Sequence, residues 1–362
     1  MYRSFLLFIC SVAFISLQVK TPFSQSKFII NDTLQYPEEK HFRNLRQLTF
    51  GGDNAEAYFS FDDKYLIFQK TVPSEGIMCD QIWMGKLPER AGDPFIPKLV
   101  STGTGRTTCA FFCPDGKHIL YASTHLASKE CPPVPDKSKR YIWPVYKSFD
   151  IFMADTNGHI VKQLTKTDGY DAEATISPKG DKILFTSMRD GDLDLYTMNL
   201  DGTQVKRITK ALGYDGGGWF SPDGKKIVWR ASRPKTKAEI ADYKQLLSEG
   251  LVAPANMEVW TANADGTNAR QVTFLPKANW APNFLPGGKE IIFCSDHEYP
   301  RGFPFNMYIT GINGKGLEKV SRDKGFDAFP MFSHDGKKFV FSSNRNNGGG
   351  HDTNVFIADW AQ

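Results

Sequence analysis

Short hydrophobic runs alternate with turn-forming residues along the chain, and one such phrase returns six times. Its clearest copy is FSPDGKKIVW at 220–229, in which a Pro-Asp-Gly turn leads into a hydrophobic run. The other copies begin at Phe59, Phe112, Ile176, Phe284 and Phe332. Successive starts lie 53, 64, 44, 64 and 48 residues apart by subtraction. A period in the forties, lengthened by insertions, is typical of four-stranded propeller blades.

The residue types within each phrase predict a hairpin. Proline presets φ at the first turn position, aspartate accepts hydrogen bonds from backbone amides, and glycine supplies a positive φ. The run Lys182–Thr186 then alternates in the manner of a strand with one buried face. Each repeat therefore predicts a sheet of short antiparallel strands.

The phase of the repeat predicts how the ring closes. The strand before each inter-repeat loop ends in an aliphatic residue followed by Thr or Ser, as in Leu164-Thr165. Leu45–Thr49 has this form without a preceding blade, whereas the last repeat ends at its third strand, Asn354–Trp360. The sequence thus predicts an all-β, six-bladed propeller of four-stranded antiparallel blades, closed by an N-terminal strand that pairs with the last blade.

Two repeats carry insertions. Thr124–Phe149 is rich in proline, lysine and aromatic residues, and 238–249 has apolar residues at helical spacing. We expect a short helix on the propeller surface. Packing decoration is favoured over a partner-binding helix.

Composition and the N-terminus limit the function classes. A net charge of +4 is too small to indicate a nucleic-acid or anionic-membrane partner. Arg3 followed by an apolar run from Phe5 to Leu17 resembles a secretory signal, with an uncleaved anchor as the alternative. We therefore expect residues 1–26 to be a signal peptide, 27–44 a lead-in and 45–362 the propeller. The mature chain is expected to be a monomer without a membrane span, in the periplasm or cell envelope.

Five cysteines follow the signal segment, so at least one thiol is free. Cys109 and Cys113 lie beside one strand and suit burial as small hydrophobic residues. Cys79 and Cys131 lie in loop-like segments outside the repeat core, so they are the candidate disulfide pair in an oxidising compartment.

These repeats, FSPDGKK followed by a hydrophobic strand and a DG turn, resemble the WD40-like repeats of the TolB propeller family from Leu45 to Trp360. The resemblance implies an exported six-bladed propeller that acts as a binding platform or an accessory domain of hydrolases. We expect the α/β domain that precedes the TolB propeller to be absent here, since about twenty residues separate the expected signal from the first repeat. Gly169–Thr175 and Gly213–Gly217 are similar to a further TolB-like subgroup, which implies no activity.

One position in each repeat carries a side-chain oxygen, six residues before the Ser of the phrase. The set is Asn54, Thr107, Asp171, Asp215, Asn279 and Asp327. We expect these side chains to gather at one mouth of the channel, with Glu56 and Glu173 from the position two residues later. Clustered oxygens suit a hard cation, so calcium bound by Asp171, Asp215 and Asp327 is one hypothesis. The alternative is that each residue caps its own turn.

A second set follows the second strand of the repeat: His125, Arg189, Arg233, His297 and Arg345. Salt bridges to neighbouring blades are the default expectation for these arginines. If Arg189 and Arg233 face the same mouth as the carboxylates, they would grip a carboxylate-bearing ligand. Arg230 and Glu258 belong to the same hypothesis. Trp219, Trp280 and Phe329 are expected to fill the space between blades.

The leading hypothesis is a non-enzymatic exported propeller without a cofactor, which binds an envelope protein or a glycan at its channel mouth. The alternative is a hydrolase or lyase that acts on oligosaccharide or peptide with a divalent cation in the channel. No G-x-S-x-G elbow is present. A lyase of the kind that degrades oligogalacturonate would need clustered histidines, and only His125 and His297 hold comparable repeat positions.

Overall fold

The computed structural model describes residues 34–90, 92–300, 304–348 and 350–361. The segment 1–26, which was expected to be a signal peptide, and the lead-in up to residue 33 lie outside the described residues. Within the described residues, no helix is long and apolar enough to cross a membrane.

The first half of the chain forms a closing strand and three blades. The closing strand is β1 (Phe42–Gln47). Blade 1 contains β2 (Asp53–Phe59), β3 (Tyr65–Val72), a 3-10 turn (Pro73–Glu75), β4 (Ile77–Lys86) and β5 (Lys98–Leu99). Blade 2 contains β6 (Thr107–Phe112), β7 (His118–Ser123), β8 (Trp143–Pro144) in its insertion, β9 (Asp150–Asp155) and β10 (Ile160–Gln163). Blade 3 contains β11 (Asp171–Ile176), β12 (Lys182–Ser187), β13 (Asp194–Asn199) and β14 (Lys206–Arg207).

The second half forms three further blades and a helix. Blade 4 contains β15 (Asp215–Phe220), β16 (Lys226–Ala231), helix α1 (Lys237–Ser248), β17 (Leu251–Val252), β18 (Glu258–Asn263) and β19 (Arg270–Gln271). Blade 5 contains β20 (Asn279–Phe284), β21 (Glu290–Ser295), β22 (Asn306–Gly311) and β23 (Glu318–Lys319). Blade 6 contains β24 (Asp327–Phe332), β25 (Lys338–Ser343) and β26 (Asn354–Trp360).

The six sheets close into a ring, as the repeat phase predicts. β1 is the fourth strand of blade 6 and pairs antiparallel with β26, Phe42 opposite Trp360 and Gln47 opposite Phe356. The first strand of each blade contacts the first strands of both neighbouring blades, so these six strands surround the channel. The fold prediction is confirmed. The closing strand begins at Phe42, inside the segment expected to be a lead-in.

The second strand of each blade is more deeply buried than expected. Ile183, Leu184 and Phe185 are consecutive residues, and all three are fully buried. The same holds for the equivalent triplets, such as Ile227-Val228-Trp229. The expectation of one buried face was wrong, because each sheet is packed against a neighbouring blade on both faces.

The two insertions pair with each other and form one structure, which we call the cap (residues 124–149 and 232–257). β8 of the blade 2 insertion pairs antiparallel with β17 of the blade 4 insertion. α1 begins with a capping box, in which the Thr236 hydroxyl accepts from the Glu239 amide and the Glu239 carboxylate accepts from the Thr236 amide. The helix buries Tyr243 and Leu247. The decoration foreseen from the sequence is therefore a shared element over one end of the propeller.

Candidate functional site

The ring of oxygen-bearing residues singled out in the sequence lies inside the blades. Five of the six are fully buried, namely Thr107, Asp171, Asp215, Asn279 and Asp327, and Asn54 is nearly so. Asp171 accepts from Arg189 at 3.0 Å, Asp215 from Arg233 at 2.6 Å, and Asp327 from Arg345 at 2.8 Å. Each of these arginines follows the second strand of the same blade. The two sets of candidate residues thus meet as pairs within single blades and not as a shared site at the channel mouth.

The charge of the inner-strand residue and the charge of the residue after the second strand vary together from blade to blade. Where the inner strand carries Asp, the second position is Arg. Where it carries the neutral Thr107 or Asn279, the second position is His125 or His297, whose ring lies against a strand serine at 2.9 and 3.0 Å respectively. Asn279 is further held by Ser295 at 2.8 Å and by the Met257 carbonyl oxygen at 2.9 Å. A buried carboxylate needs a cationic partner. The occurrence of Asp and Arg together in the same repeats was therefore the sequence signal for a structural role.

Burial affects the pKa of one of these carboxyl groups, that of Asp215. It raises the pKa of Asp215 to about 7, while Arg233 and the indole of Trp229 act in the opposite direction. Arg189 and Arg233 also lie over aromatic rings, Arg189 over Tyr196 at 5.0 Å and Arg233 over Trp260 at 4.9 Å. These contacts hold both guanidinium groups inside the fold.

We expect millimolar calcium to leave the melting temperature unchanged. Asp171, Asp215 and Asp327 each face a guanidinium of their own blade, and the described residues contain no group of three or more His, Cys, Asp or Glu that could hold a metal ion. The measurement is a thermal melt with calcium and with EDTA. A calcium-dependent rise of several degrees that disappears in the Asp171→Ala/Asp215→Ala double variant would instead support the calcium hypothesis.

The channel is lined by a different repeat position, two residues further along each inner strand. A β-bulge interrupts every inner strand at this point, for example between Ala172 and Thr175. The six bulge residues adopt left-handed conformations, with φ between 45° and 62°. They are Glu56, Cys109, Glu173, Gly217, Ala281 and Phe329. Together with Tyr58, Trp219 and Arg230 they line a cavity of about 40 Å³, which we call the chamber.

Glu173 and Arg230 form an ion pair in the chamber, and several further hydrogen bonds hold the carboxylate. One Glu173 carboxylate oxygen accepts from the Arg230 guanidinium, and the other accepts from Thr186 at 2.6 Å and from the Gly217 amide at 2.9 Å. The Tyr214 hydroxyl lies 3.0 Å from both oxygens. The pair therefore links blade 3 to blade 4 across the channel wall.

Two of three successive glycines make room for this pair, and the third makes room for a leucine of blade 3. A Cβ at Gly217 would meet the Arg230 guanidinium, and one at Gly216 would meet the Tyr214 hydroxyl and the Glu173 carboxylate. A Cβ at position 218 would lie 2.7 Å from Leu184. The glycine run in β15 thus sets the position of Arg230 in the channel.

The cap lies at the end of the channel where the inner strands begin. Trp143 lies over the Arg230 guanidinium at 5.2 Å and against Trp280 at 4.8 Å between ring centroids. The Trp280 indole donates to the Pro254 carbonyl oxygen at 2.8 Å. A disulfide between Cys79 and Cys131 joins the blade 2 insertion to blade 1. The cap is therefore anchored to blades 1, 4 and 5 around this end.

The opposite end of the channel opens into an apolar cavity of about 180 Å³, which we call the funnel. Every blade contributes to its wall through the recurrent turn phrase or the strand beside it. One wall residue from each blade is Phe61, Phe111, Pro178, Pro222, Pro286 and His334. The turn phrase was interpreted from the sequence as scaffold alone, whereas its proline position also forms this mouth.

An aromatic group separates the funnel from the chamber. Trp219 lines both cavities and lies edge-on to Tyr58 at 4.8 Å and to Phe111 at 5.4 Å. The expectation that inner-strand aromatics fill space between blades therefore describes only part of the role of Trp219.

Comparisons with known proteins agree with this architecture. The model of the PD40 family, the TolB beta propeller domain, matches residues 146–253. No curated protein matches the sequence. The putative TolB of Agrobacterium tumefaciens is 19% identical, with a TM-score of 0.56 over 86% of this chain and 91% of that chain.

Two other solved structures are also similar. TolB of Acinetobacter baumannii is 20% identical, with a TM-score of 0.55 over 84% of this chain and 65% of that one. An oligogalacturonate lyase in complex with manganese is 13% identical, with a TM-score of 0.50 over 92% of this chain and 96% of that one. At these identities the likeness shows the fold.

Proposed function

We propose that this six-bladed β-propeller, whose fold is similar to that of TolB proteins, is a non-enzymatic binding protein whose funnel receives an apolar segment of a protein partner. We further propose that it acts in the periplasm or cell envelope, with residues 1–26 as its export signal. The observation that carries the proposal is the wall of the funnel, to which all six blades contribute.

The chemistry of the wall favours a peptide over a glycan. The wall is made of aromatic, aliphatic and proline side chains, with Asn283, Ser333 and His334 as its polar members. Sites that orient a polar ligand need several well-placed polar groups, and a sugar presents a hydroxyl at almost every carbon. A concave apolar surface suits the aromatic and aliphatic anchors of a protein partner.

The enzymatic alternative finds less support in these residues. The two carboxylates that face the channel, Glu56 and Glu173, lie in the chamber of about 40 Å³, and one of them is saturated by Arg230 and Tyr214. That volume suits a few water molecules and not a sugar ring. The carboxylates outside the chamber that were considered for a metal each lie against an arginine.

The test begins with a phage library of random dodecapeptides selected on the immobilised protein. Selected peptides are then titrated calorimetrically against the wild type and against Pro222→Glu, which adds a charge to the funnel wall. We expect Pro222→Glu to weaken binding at least about tenfold, because the new charge must be desolvated by an apolar ligand.

Pro114→Glu is the matched control. Pro114 occupies the same position of the turn phrase in blade 2, but it lines a groove between blades 1 and 2, with Asp62 and Lys98, and not the funnel. The Pro114→Glu variant should therefore bind the peptides with the affinity of the wild type. Equal losses in both variants, or none in either, would contradict binding in the funnel.

A further inference from the structure

The chamber contains one carboxylate whose charge has no counterpart. Glu173 and Arg230 neutralise each other through their ion pair. Glu56 forms no ion pair within 4 Å with any residue that the structure describes, and the Tyr58 hydroxyl donates to it only at 3.3 Å. When both carboxyl groups are ionised, two carboxylates and one guanidinium give the chamber one net negative charge.

The position of Glu56 makes this unpaired charge unusual. Its bulge conformation, with φ of 54°, is one that glutamate rarely adopts, and the half-buried side chain lines the chamber. Burial raises the pKa of Glu56, with Cys109 and Arg230 acting in the opposite direction. An ionised carboxylate in such a place is costly unless a cation faces it.

The remaining wall is suited to a cation. The rings of Tyr58, Trp219 and Phe329 line the same cavity as Glu56, and aromatic faces attract ammonium groups. An anion that approached Arg230 would instead meet both Glu56 and Glu173. The volume of about 40 Å³ accommodates a group of a few heavy atoms.

We propose that the chamber binds a primary ammonium group, held by the Glu56 carboxylate and surrounded by the aromatic rings of the channel wall. The ammonium group has two sources. One is a free alkylamine. The other is the amino terminus or a lysine side chain of a segment seated in the funnel, which must pass Trp219, a residue that lines both cavities.

The first experiment does not depend on the funnel. The full chain is titrated calorimetrically with n-butylammonium chloride, n-butanol and sodium butyrate. We expect millimolar binding of n-butylammonium alone, and a loss of at least about tenfold in Glu56→Gln, because a charge-assisted hydrogen bond is replaced by a neutral one. Glu89→Gln, at a carboxylate that is 76% exposed and paired with Lys86, is the control and should change nothing.

Three results would overturn the proposal: n-butanol binding as tightly as n-butylammonium, no binding of n-butylammonium, or unchanged affinity in Glu56→Gln. A melt of each variant shows whether it is folded, and Glu56→Asp keeps the carboxylate, so it should retain part of the affinity even if Glu56→Gln fails to fold.

The second experiment distinguishes the two sources and rests on the proposed function. A funnel-binding peptide is compared with a form that is acetylated at its amino terminus and at every lysine. Weaker binding of the acetylated form to the wild type, together with equal binding of both forms to Glu56→Gln, would support an ammonium group supplied by the partner. Equal binding together with n-butylammonium affinity would support a free amine. Failure of all peptides with retained n-butylammonium binding would contradict the funnel and support the chamber.

Discussion

Replacing Arg345 by methionine should lower the free energy of unfolding by about 3–5 kcal/mol. The Arg345 guanidinium lies between Asp327 at 2.8 Å and Glu39 at 3.0 Å, and all three side chains are buried. The same guanidinium donates to the Leu34 carbonyl oxygen at 2.8 Å. Methionine would leave two carboxyl groups in the interior without a cation. Urea unfolding followed by tryptophan fluorescence measures the change.

Arg140→Ala provides the comparison. Arg140 forms a two-bonded ion pair with Asp242 at 2.7 and 2.8 Å, but both side chains are about half exposed. Exposed pairs contribute about 0–1 kcal/mol, so this variant should be nearly as stable as the wild type. Adding Glu39→Gln and Asp327→Asn to Arg345→Met should recover part of the loss. A loss below about 1 kcal/mol in Arg345→Met would show that the buried triad does not stabilise blade 6.

Deleting residues 44–49 should abolish or sharply lower the cooperative melt. This segment contains most of β1, the fourth strand of blade 6, whose hydrogen bonds to β26 join the N-terminal part of the chain to the last blade. The deletion removes the buried Leu45 and Leu48 and leaves the edge of β26 unpaired. Differential scanning calorimetry of the deletion variant measures the effect.

A milder variant separates closure from general damage. Phe42→Ala removes a fully buried ring that stacks on Phe341 at 5.3 Å and on Phe339 at 5.7 Å. It should cost about 3–5 kcal/mol. Phe50, eight residues later, is 41% exposed, so Phe50→Ala should cost little. An unchanged melt in the deletion variant, or equal effects of the two phenylalanine variants, would contradict closure through β1.

The fold was predictable because its determinants are local and repeated. The Pro-Asp-Gly turns specify hairpins within a few residues, and six copies at blade spacing leave few architectures. The unmatched strand at Leu45–Thr49 likewise indicated closure, since one blade lacked its fourth strand. What the repeat could not indicate was the burial of both faces of β12 and its equivalents, which depends on how neighbouring blades stack.

The candidate site was predictable only in part. Glu56 and Glu173 were identified, and both line the chamber. Asp171, Asp215 and Asp327 occupy the same repeat position, and each has a carboxylate. The arginine that pairs with each carboxylate lies 18 residues later in the same blade. The β-bulge points the residue two positions further along the strand into the channel. The sequence does not indicate this bulge, since Glu, Cys, Ala, Phe and Gly all occupy the bulge position.

The cap shows a second kind of limit. The insertions of blades 2 and 4 were recognised separately, each as a decoration. Their pairing through Trp143–Pro144 and Leu251–Val252 joins segments more than a hundred residues apart, and no motif in the sequence singles out the Arg140–Asp242 ion pair that also links them. The consequence for function is that partner binding is expected at the uncovered end.

Hydrogen–deuterium exchange with a selected peptide tests this central claim most directly. Binding in the funnel should slow amide exchange in the turns at 221–225, 285–289 and 333–337, whose residues form or adjoin its wall. The cap segment 131–146 should exchange at the rate of the free protein. Protection confined to the cap, with unchanged exchange in the three turns, would contradict the account and move the binding surface to the opposite end of the channel.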